Sequence, residues 1–308
     1  MNLIEAFRSE IFKIFEEDKT AIYLGEDVRN AHRGIAIGLH ERYGSERVID
    51  MPISESAFTG IALGLAIKGK TVFVEYNFAG LLYLGLDQIF NQAHKYNEMM
   101  NSGLNLKLTY IFPTGTKGGM AGQHSDNPYA LLTHLGLPTL MPSNEMDCIE
   151  CVKYINRLNK PSALFLPVQS FYNEMKIDAA VMNGWMGFYK LSEGEKLNII
   201  ATGTTINIVN EAIKETNLDA PNIYIITDLE FNDKTKACIN NIEPLPTIFI
   251  DDSFEKCGIA SELERYIERK LWMEPVSRLD RNVPFNQELE NRVLVSKQRV
   301  AYKLKGFM

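Results

Sequence analysis

Long hydrophobic runs are missing from this chain of 308 residues. No apolar stretch approaches the length of about 18 residues that a membrane-spanning helix needs, and residues 1–10 carry acids in place of the apolar core of a signal peptide. An excess of basic residues is missing as well, because the formal net charge is -7, and this argues against a nucleic-acid surface. These absences predict a cytoplasmic protein that binds neither membranes nor nucleic acids.

Cysteine is scarce, with four residues in the whole chain, and their spacing gives no disulfide framework. Cys148 and Cys151 do form a C-x-x-C pair, which could indicate a metal or redox site. However, residues 144–159 have the apolar spacing of an amphipathic helix, and no second pair or histidine cluster completes a zinc site. We therefore predict two helical thiols without special chemistry, and no metal site.

Two common nucleotide-binding loops are absent too. The chain has neither the G-x-x-x-x-G-K-[ST] of a P-loop nor a G-x-G-x-x-G after a predicted strand, so neither kind of site is supported. Gly203, Thr204 and Thr205 stand at the start of a predicted helix, where free backbone N–H groups could hold an anion. A plain strand-to-helix turn is the interpretation we favour there.

What the chain does have is a regular alternation of apolar strands and helices. Helical spacing separates most of the buried-strand patterns, which begin near residues 21, 48, 71, 106, 139, 163, 197, 223 and 247. This alternation predicts an α/β fold with mostly parallel sheets covered by helices on both faces. The periodicity is lost between residues 170 and 195. We therefore predict two doubly wound domains, residues 1–180 and a smaller unit of residues 181–308.

Residues 48–60 are the central stretch of the first domain. A short β-branched strand leads through Pro52 into a helix rich in small residues, which Ser54 or Ser56 could cap. Glu55 therefore stands at the carboxyl end of a strand and at the start of a helix, where open α/β sheets bind their ligands. This pattern is equally compatible with a functional carboxylate and with an acid that only caps the helix.

Polar residues follow other predicted strands as well. Glu26 and Asp27 end the first strand, so we expect them at the same sheet edge as Glu55. Acids from neighbouring strand ends in a partly buried cleft repel each other, and at least one pKa would rise. His124 follows the glycine-rich loop of residues 113–122, which makes it a candidate for proton transfer. A hydrogen bond that only fixes the loop is the alternative role for this histidine.

Taken together, these motifs resemble the beta subunit of the thiamine-diphosphate-dependent decarboxylating component of 2-oxo acid dehydrogenases, of the pyruvate, branched-chain or acetoin type. The matching stretches cover nearly the whole chain: Leu24-Gly25-Glu26-Asp27-Val28, Asp50-Met51-Pro52-Ile53-Ser54-Glu55, Phe58-Thr59-Gly60, Leu86-Asp87-Gln88-Ile89-Phe90-Asn91-Gln92-Ala93, Gly122-Gln123-His124-Ser125, Met141-Pro142-Ser143, Asp251-Asp252, residues 258–262 and residues 278–284. The resemblance implies a transketolase-like pyrimidine-binding domain, followed by a smaller domain like the transketolase C-terminal domain.

The resemblance also implies roles for particular residues. Glu55 corresponds to the glutamate that hydrogen-bonds N1′ of the cofactor's aminopyrimidine and so promotes proton removal from the thiazolium C2. His124 corresponds to the active-site loop histidine that assists with the substrate or acyl group. Ile53, Asn77 and Leu81 fall at positions that contact the cofactor ring. The implied reaction is oxidative decarboxylation of a 2-oxo acid, with transfer of the acyl group to a lipoyl domain.

The family's diphosphate and magnesium motif, a Gly-Asp-Gly followed by paired asparagines, does not occur in these 308 residues. By resemblance, the chain can supply only the pyrimidine half of the thiamine diphosphate site. We therefore expect a separate alpha chain to bind the diphosphate and Mg²⁺, in an α2β2 heterotetramer whose sites lie at chain interfaces. A lipoyl acyltransferase is a further expected partner, and the chain alone should be inactive.

Some positions depart from the family pattern. Leu81 stands where the family usually has phenylalanine, so an aliphatic side chain replaces an aromatic one and stacking weakens by about 1 kcal/mol, although Phe78 or Tyr83 could compensate. Leu158 stands where an aspartate is associated with a structural potassium site. The residues that follow Leu166 also differ from the family's charged ones.

These departures keep a second hypothesis open. In it, the chain is half of a split transketolase or of an acyloin-forming thiamine-diphosphate enzyme that has no lipoyl partner. A third hypothesis, a structural or regulatory subunit without catalysis, is disfavoured because Glu55 and His124 are both retained.

Overall fold

The computed structural model describes residues 1–172, 187–266, 273–279 and 281–307. Within these ranges the chain forms two separate sheets, each with helices packed against it. The α/β class predicted from the sequence is therefore confirmed. The predicted boundary between residues 180 and 181 lies outside the described residues, so the domain limits stay a prediction. None of the described helices is long and apolar enough to cross a membrane.

The first sheet is entirely parallel. Its strands are β1 (Ile22–Glu26), β2 (Val48–Met51), β3 (Val72–Glu75), β4 (Leu108–Thr114), β5 (Thr139–Leu140) and β6 (Ser162–Pro167). They lie in the order β2-β1-β3-β4-β6-β5. The chain therefore leaves β1 first to one side and then to the other, which makes a topological switch point between β1 and β3.

Helices cover both faces of this sheet. They are α1 (Leu3–Glu17), α2 (Leu39–Tyr43), α3 (Glu55–Ile67), α4 (Leu82–Asp87), α5 (Tyr96–Met100), α6 (Gly122–Ser125), α7 (Tyr129–His134) and α8 (Glu145–Arg157), with 3₁₀ turns at Ala79–Leu81 and Val168–Ser170. Tyr23 and Phe73 pack with α1 and α8 on one face, whereas Leu24 and Val74 pack with α3 on the other. This alternation follows from the two-residue period of a strand.

The second sheet is mixed. Its strands are β7 (Phe188–Ser192), β8 (Asn198–Ala201), β9 (Asn222–Ile226), β10 (Thr247–Phe254) and β11 (Met273–Arg278), in the order β11-β10-β8-β9-β7. Its helices are α9 (Ile206–Thr216), α10 (Asp233–Asn240), α11 (Ile259–Tyr266), α12 (Gln287–Val293) and α13 (Lys297–Leu304), and a 3₁₀ turn follows at Lys305–Phe307. Strand β7 runs antiparallel to β9 at one edge. It lies where the sequence showed no periodicity, and the sequence analysis missed it.

The two sheets share one hydrophobic core. Phe112 and Phe165 of the first sheet belong to the same cluster of buried side chains as Ile200 and Phe249 of the second. The backbone also joins them, since the Met141 N–H donates to the Thr227 carbonyl at 2.9 Å. Side chains of the second sheet therefore pack directly against those of the first.

Two details of the helices depart from regular geometry. A π-helical segment, Gln88–His94, lies between α4 and α5, and Asn91 Nδ2 donates to Asp87 Oδ1 at 2.7 Å. Ser54 does hold the N-cap position of α3, but its side chain makes no capping hydrogen bond. Its ψ of 71° departs from the extended conformation in which a serine hydroxyl reaches the first helical N–H groups.

Candidate functional site

The carboxyl ends of β2, β1, β3 and β4 form one edge of the first sheet at its switch point. Gly25 pairs with Asp50 on one side and with Glu75 on the other, so the strand ends are in register. The segments that follow these strands carry every site residue predicted from the sequence: Ile53, Glu55, Asn77, Leu81 and His124. The fold thus brings the predicted residues to a single edge.

Glu55 is the first residue of α3, and only 5% of it is exposed. A carboxylate in this position is favoured by the unpaired N–H groups and by the dipole of the helix. Its backbone carbonyl accepts a hydrogen bond from Thr59 Oγ1 at 2.5 Å, whereas no described side chain donates to its carboxylate. The buried carboxylate therefore retains its capacity to accept a hydrogen bond from a ligand.

Glu26 lies close enough to Glu55 for their charges to interact. Burial raises the pKa of Glu26, and the charges of Glu55 and Asp27 raise it further, against the lowering effect of a hydrogen bond from the Asn77 amide. The predicted repulsion between acids at this edge is therefore confirmed. Asn77 Oδ1 is buried and has no hydrogen-bond partner among the described residues. The site thus presents an acceptor oxygen beside two carboxyl groups.

Thr59 and Tyr76 add a buried polar pair beside Glu55. The two hydroxyl groups are hydrogen-bonded to each other, and both residues are fully buried. Burial raises the pKa of Tyr76, and the charge of Glu55 raises it further. The phenol therefore stays protonated and holds the first turn of α3 in place through Thr59.

His124 lies against the ring of Phe78, with the ring centroids 4.3 Å apart. The guanidinium carbon of Arg33 lies 3.6 Å from the centroid of the same Phe78 ring. Nδ1 of His124 is 3.2 Å from the Met120 carbonyl oxygen. When Nδ1–H donates to that oxygen, the neutral imidazole leaves Nε2 as an acceptor. One ring nitrogen can therefore fix the loop while the other remains available for proton transfer.

The backbone around His124 differs from the irregular loop expected from the glycines. Residues Gly122–Ser125 form the one-turn helix α6, and strand β4 extends to Thr114 inside the expected loop. Helix α6 packs closely on the 3₁₀ turn that contains Gly80, where a Cβ atom would lie 2.5 Å from the Gln123 carbonyl oxygen. Only a glycine allows this approach, which the sequence motif did not reveal.

Leu81 and Ile53 differ in their surroundings. Leu81 is partly buried and lines a cleft of about 510 Å³ together with Tyr83, Gln123 and Phe285. Tyr83 lines the same cleft as Leu81, so its ring is placed where it could replace the aromatic side chain that the family has at position 81. The ring of Phe78, in contrast, packs against His124. Ile53 is 78% exposed, whereas Glu55 and Asn77 are buried.

Glu75 is a buried acid of this edge that the sequence analysis missed. Its carboxylate accepts a hydrogen bond from Tyr23 OH at 2.5 Å, and burial raises its pKa to about 7, although Tyr23 and the charge of Arg33 lower it. The signal was present, because Glu75 ends an otherwise apolar strand and pairs with Gly25, the residue before Glu26. An acid at the end of β3 indicates a polar site at this edge of the sheet as much as an acid at the end of β1 does.

The donors and acceptors at this edge fit a neutral or cationic nitrogen heterocycle. Asn77 offers a buried Oδ1 that has no donor among the described residues, and no described side chain donates to the Glu55 carboxylate. The cleft lined by Leu81 offers a largely apolar surface for a ring. Among the described residues, no group of three or more histidine, cysteine or acidic side chains could hold a metal ion. The buried thiols of Cys148 and Cys151 lie on α8, and burial raises their pKa values.

Comparison with protein families matches residues 1–173 to the transketolase pyrimidine-binding domain. Among curated proteins, the chain is 29% identical to the 2-oxoisovalerate dehydrogenase subunit beta of Pseudomonas aeruginosa, over 94% of this chain and 90% of that protein. It is 23% identical to the acetoin:2,6-dichlorophenolindophenol oxidoreductase subunit beta of Bacillus subtilis, over 97% of this chain and 95% of that protein. The predicted resemblance to these beta subunits is confirmed.

Solved structures show the same fold. A split-gene transketolase, described as an inactive beta4 tetramer, has a TM-score of 0.75 at 18% identity, over 98% of this chain and 96% of that chain. The transketolase of Campylobacter jejuni has a TM-score of 0.72 at 15% identity, over 97% of this chain but 46% of that one. The predicted transketolase-like architecture is thereby confirmed.

Proposed function

Because the chain belongs to the family of the transketolase pyrimidine-binding domain, we propose that it is the beta subunit of a thiamine-diphosphate-dependent 2-oxo acid dehydrogenase. Its similarity to such subunits over nearly the whole chain supports this. In this proposal it takes part in the oxidative decarboxylation of a 2-oxo acid. Thiamine diphosphate, when bound, supplies the carbon nucleophile and the electron sink for that reaction.

The observation that carries the proposal is the buried Glu55 carboxylate, which no described side chain bonds and which stands at the switch point of the sheet. In the proposed role, Glu55 accepts a hydrogen bond from N1′ of the aminopyrimidine and favours its protonated form. Burial strengthens such a bond, because water competes less for the carboxylate. Burial and the charge of Glu55 raise the pKa of the neighbouring Glu26 carboxyl, which places a second acid close to the proposed hydrogen bond.

The other predicted residues take supporting roles. Asn77 presents its unpaired Oδ1 to the cofactor, and Leu81 contributes an apolar contact from the wall of the cleft. His124, with Nδ1 directed to its own loop, offers Nε2 to the substrate or to the acyl group. Ile53 is proposed to contact the ring from an exposed position, which a ligand or a second chain would cover.

The chain is proposed to act only with an alpha subunit, in an α2β2 heterotetramer. The Gly-Asp-Gly and paired-asparagine motif is absent from the sequence, so the diphosphate and Mg²⁺ would bind to that second chain. A lipoyl acyltransferase would then receive the acyl group. Under this proposal, the isolated chain shows no turnover and the mixture of the two chains does.

The test is Glu55→Gln in the reconstituted pair. Glutamine keeps the shape of the side chain but cannot take part in the charge-assisted hydrogen bond, so we expect turnover of the 2-oxo acid to fall by about 100-fold or more. Glu41→Gln is the control, since Glu41 is exposed on α2. Unchanged turnover in the Glu55 variant would contradict the catalytic role and would favour a subunit without catalysis.

A product assay separates the proposed activity from the acyloin-forming alternative. The reconstituted pair is supplied with a 2-oxo acid, an aldehyde and a lipoyl domain, and both ketol and reduced lipoyl groups are measured. Acyl transfer to the lipoyl domain is the expected result. Ketol formation without any lipoyl reduction would instead identify a split transketolase or an acyloin-forming enzyme, whose fold this chain shares.

A further inference from the structure

Glu290 is a charged residue of the second domain with no part in the site described above. It lies on α12, and none of its surface is exposed. A carboxylate buried this completely is costly unless several hydrogen bonds compensate for the lost water. Its partners therefore indicate what the residue does.

Three groups among the described residues donate hydrogen bonds to the Glu290 carboxylate, and all three belong to the segment that carries His124. Oε2 accepts from the backbone N–H groups of Gly118 at 2.7 Å and Gly119 at 2.9 Å. Oε1 accepts from the hydroxyl of Ser125 at 2.9 Å. One carboxylate thus bonds residues on both sides of His124 and closes residues 118–125 into a ring.

Residues 118–125 are also in close steric contact with the segment that precedes α12. Gly119 has a φ of 73°, and a Cβ atom there would lie 2.6 Å from the carbonyl oxygen of Phe285. This contact brings the segment preceding α12 against the loop at the same place where Glu290 bonds it. The loop therefore has little room to move while the carboxylate is present.

The position of Ser125 connects these bonds to the histidine. Ser125 ends the one-turn helix α6, and its N–H donates to the Ala121 carbonyl at 2.9 Å. Holding Ser125 therefore holds the helical turn from which the His124 side chain projects. The ring then lies against Phe78 with Nδ1 near the Met120 carbonyl.

We infer that Glu290 is a positioning residue, which holds His124 in its reactive place by clamping residues 118–125 from the second domain. This inference rests on the proposed function, because it assigns His124 a role in that reaction. The clamp itself is a structural device that can be measured without any turnover.

Glutamine and alanine variants distinguish the clamp from a general loss of packing. In Glu290→Gln, the side-chain oxygen can accept from both N–H groups and the amide can donate to the Ser125 hydroxyl oxygen, so all three contacts survive. In Glu290→Ala, all three are lost. Glu288→Ala is the matched control, because Glu288 lies on the same helix and is exposed.

The first readout is amide hydrogen exchange of the full-length chain. We expect exchange within residues 118–125 to accelerate by about tenfold or more in Glu290→Ala, and to remain near the parental rate in Glu290→Gln and Glu288→Ala. Equal exchange in the alanine variant and the parent would overturn the clamp. If Glu290→Ala does not fold, Ser125→Ala removes one of the three bonds and must still accelerate exchange.

The second readout is turnover of the pair reconstituted with an alpha chain. We expect Glu290→Ala to lower kcat by about tenfold or more with little change in KM, and Glu290→Gln to restore it. In a His124→Asn background, Glu290→Ala should have almost no further effect. A full additional loss in that background would overturn the inference. If the proposed function is wrong, Glu55→Gln will leave turnover unchanged. The hydrogen-exchange result still tests the clamp in that case, because it does not depend on turnover.

Discussion

Glu75 gives the most quantitative prediction. It is 2% exposed, and burial raises its pKa from 4.5 to about 7, in spite of the hydrogen bond from Tyr23 and the charge of Arg33. In the unfolded chain the carboxyl loses its proton near its ordinary pKa, whereas in the folded chain it keeps the proton until about neutral pH. The folded state therefore binds more protons between these values, and its stability falls as the pH rises through this window.

The size of the effect follows from the shift. Each pKa unit corresponds to about 1.4 kcal/mol, so ionised Glu75 costs the folded state about 3 kcal/mol above neutral pH and nothing well below pH 4. Glu75→Gln removes the titration while its oxygen can still accept from Tyr23. We expect the variant to gain about 2.5 kcal/mol of stability relative to the parent between about pH 5 and about pH 8.

Urea unfolding monitored by circular dichroism at both pH values measures this difference. Comparing the variant with the parent at each pH cancels other buried acids, such as Asp251, whose pKa burial raises to about 6. Glu46→Gln serves as the control, since Glu46 is exposed. If the stability difference between Glu75→Gln and the parent is the same at both pH values, Glu75 does not titrate in this window and the argument fails.

Two further predictions concern packing and thiol chemistry. Gly80→Ala should destabilise the chain by about 1–3 kcal/mol in urea unfolding, because its Cβ would lie 2.5 Å from a backbone carbonyl of α6. Gly64→Ala is the control and should not destabilise the chain, because a Cβ at Gly64 in α3 meets no other atom within 4 Å. A chromogenic disulfide reagent should titrate exposed Cys257 in the folded protein, while Cys148 and Cys151 react only after unfolding. The measurement uses a Cys238→Ser background, because Cys238 is only partly buried. In that background, rapid labelling of more than one thiol per folded chain would show that α8 is not packed as described.

Much of the site could be predicted because its residues occupy characteristic places in local patterns. Glu55 comes between a strand and a helix, and Glu26 ends a strand, so their common edge follows from the parallel arrangement alone. Their repulsion could be anticipated for the same reason. The roles of Glu55 and His124 came from the resemblance to a family, and they stay proposals that the variants above test.

Other features of the structure could not be predicted from the local sequence. Strand β7 lies in a stretch of sequence without apolar periodicity and pairs antiparallel at an edge, so it lacks the long apolar run of a central strand. The close contact at Gly80 depends on the neighbouring helix α6 and not on residues adjacent in the chain. Leu81 was recognised as a departure, but the sequence did not show that Tyr83 lines the same cleft.

The sequence by itself determined the α/β class, the edge where Glu55 lies and the absence of a diphosphate motif, because periodicity and spacing act over short distances. The tertiary structure alone decided which distant residues meet. Tyr23 reaches Glu75 across two neighbouring strands, and Glu290 bonds Gly118 across more than half the chain. Such contacts arise when separate elements pack, and no pattern within either element encodes the partner.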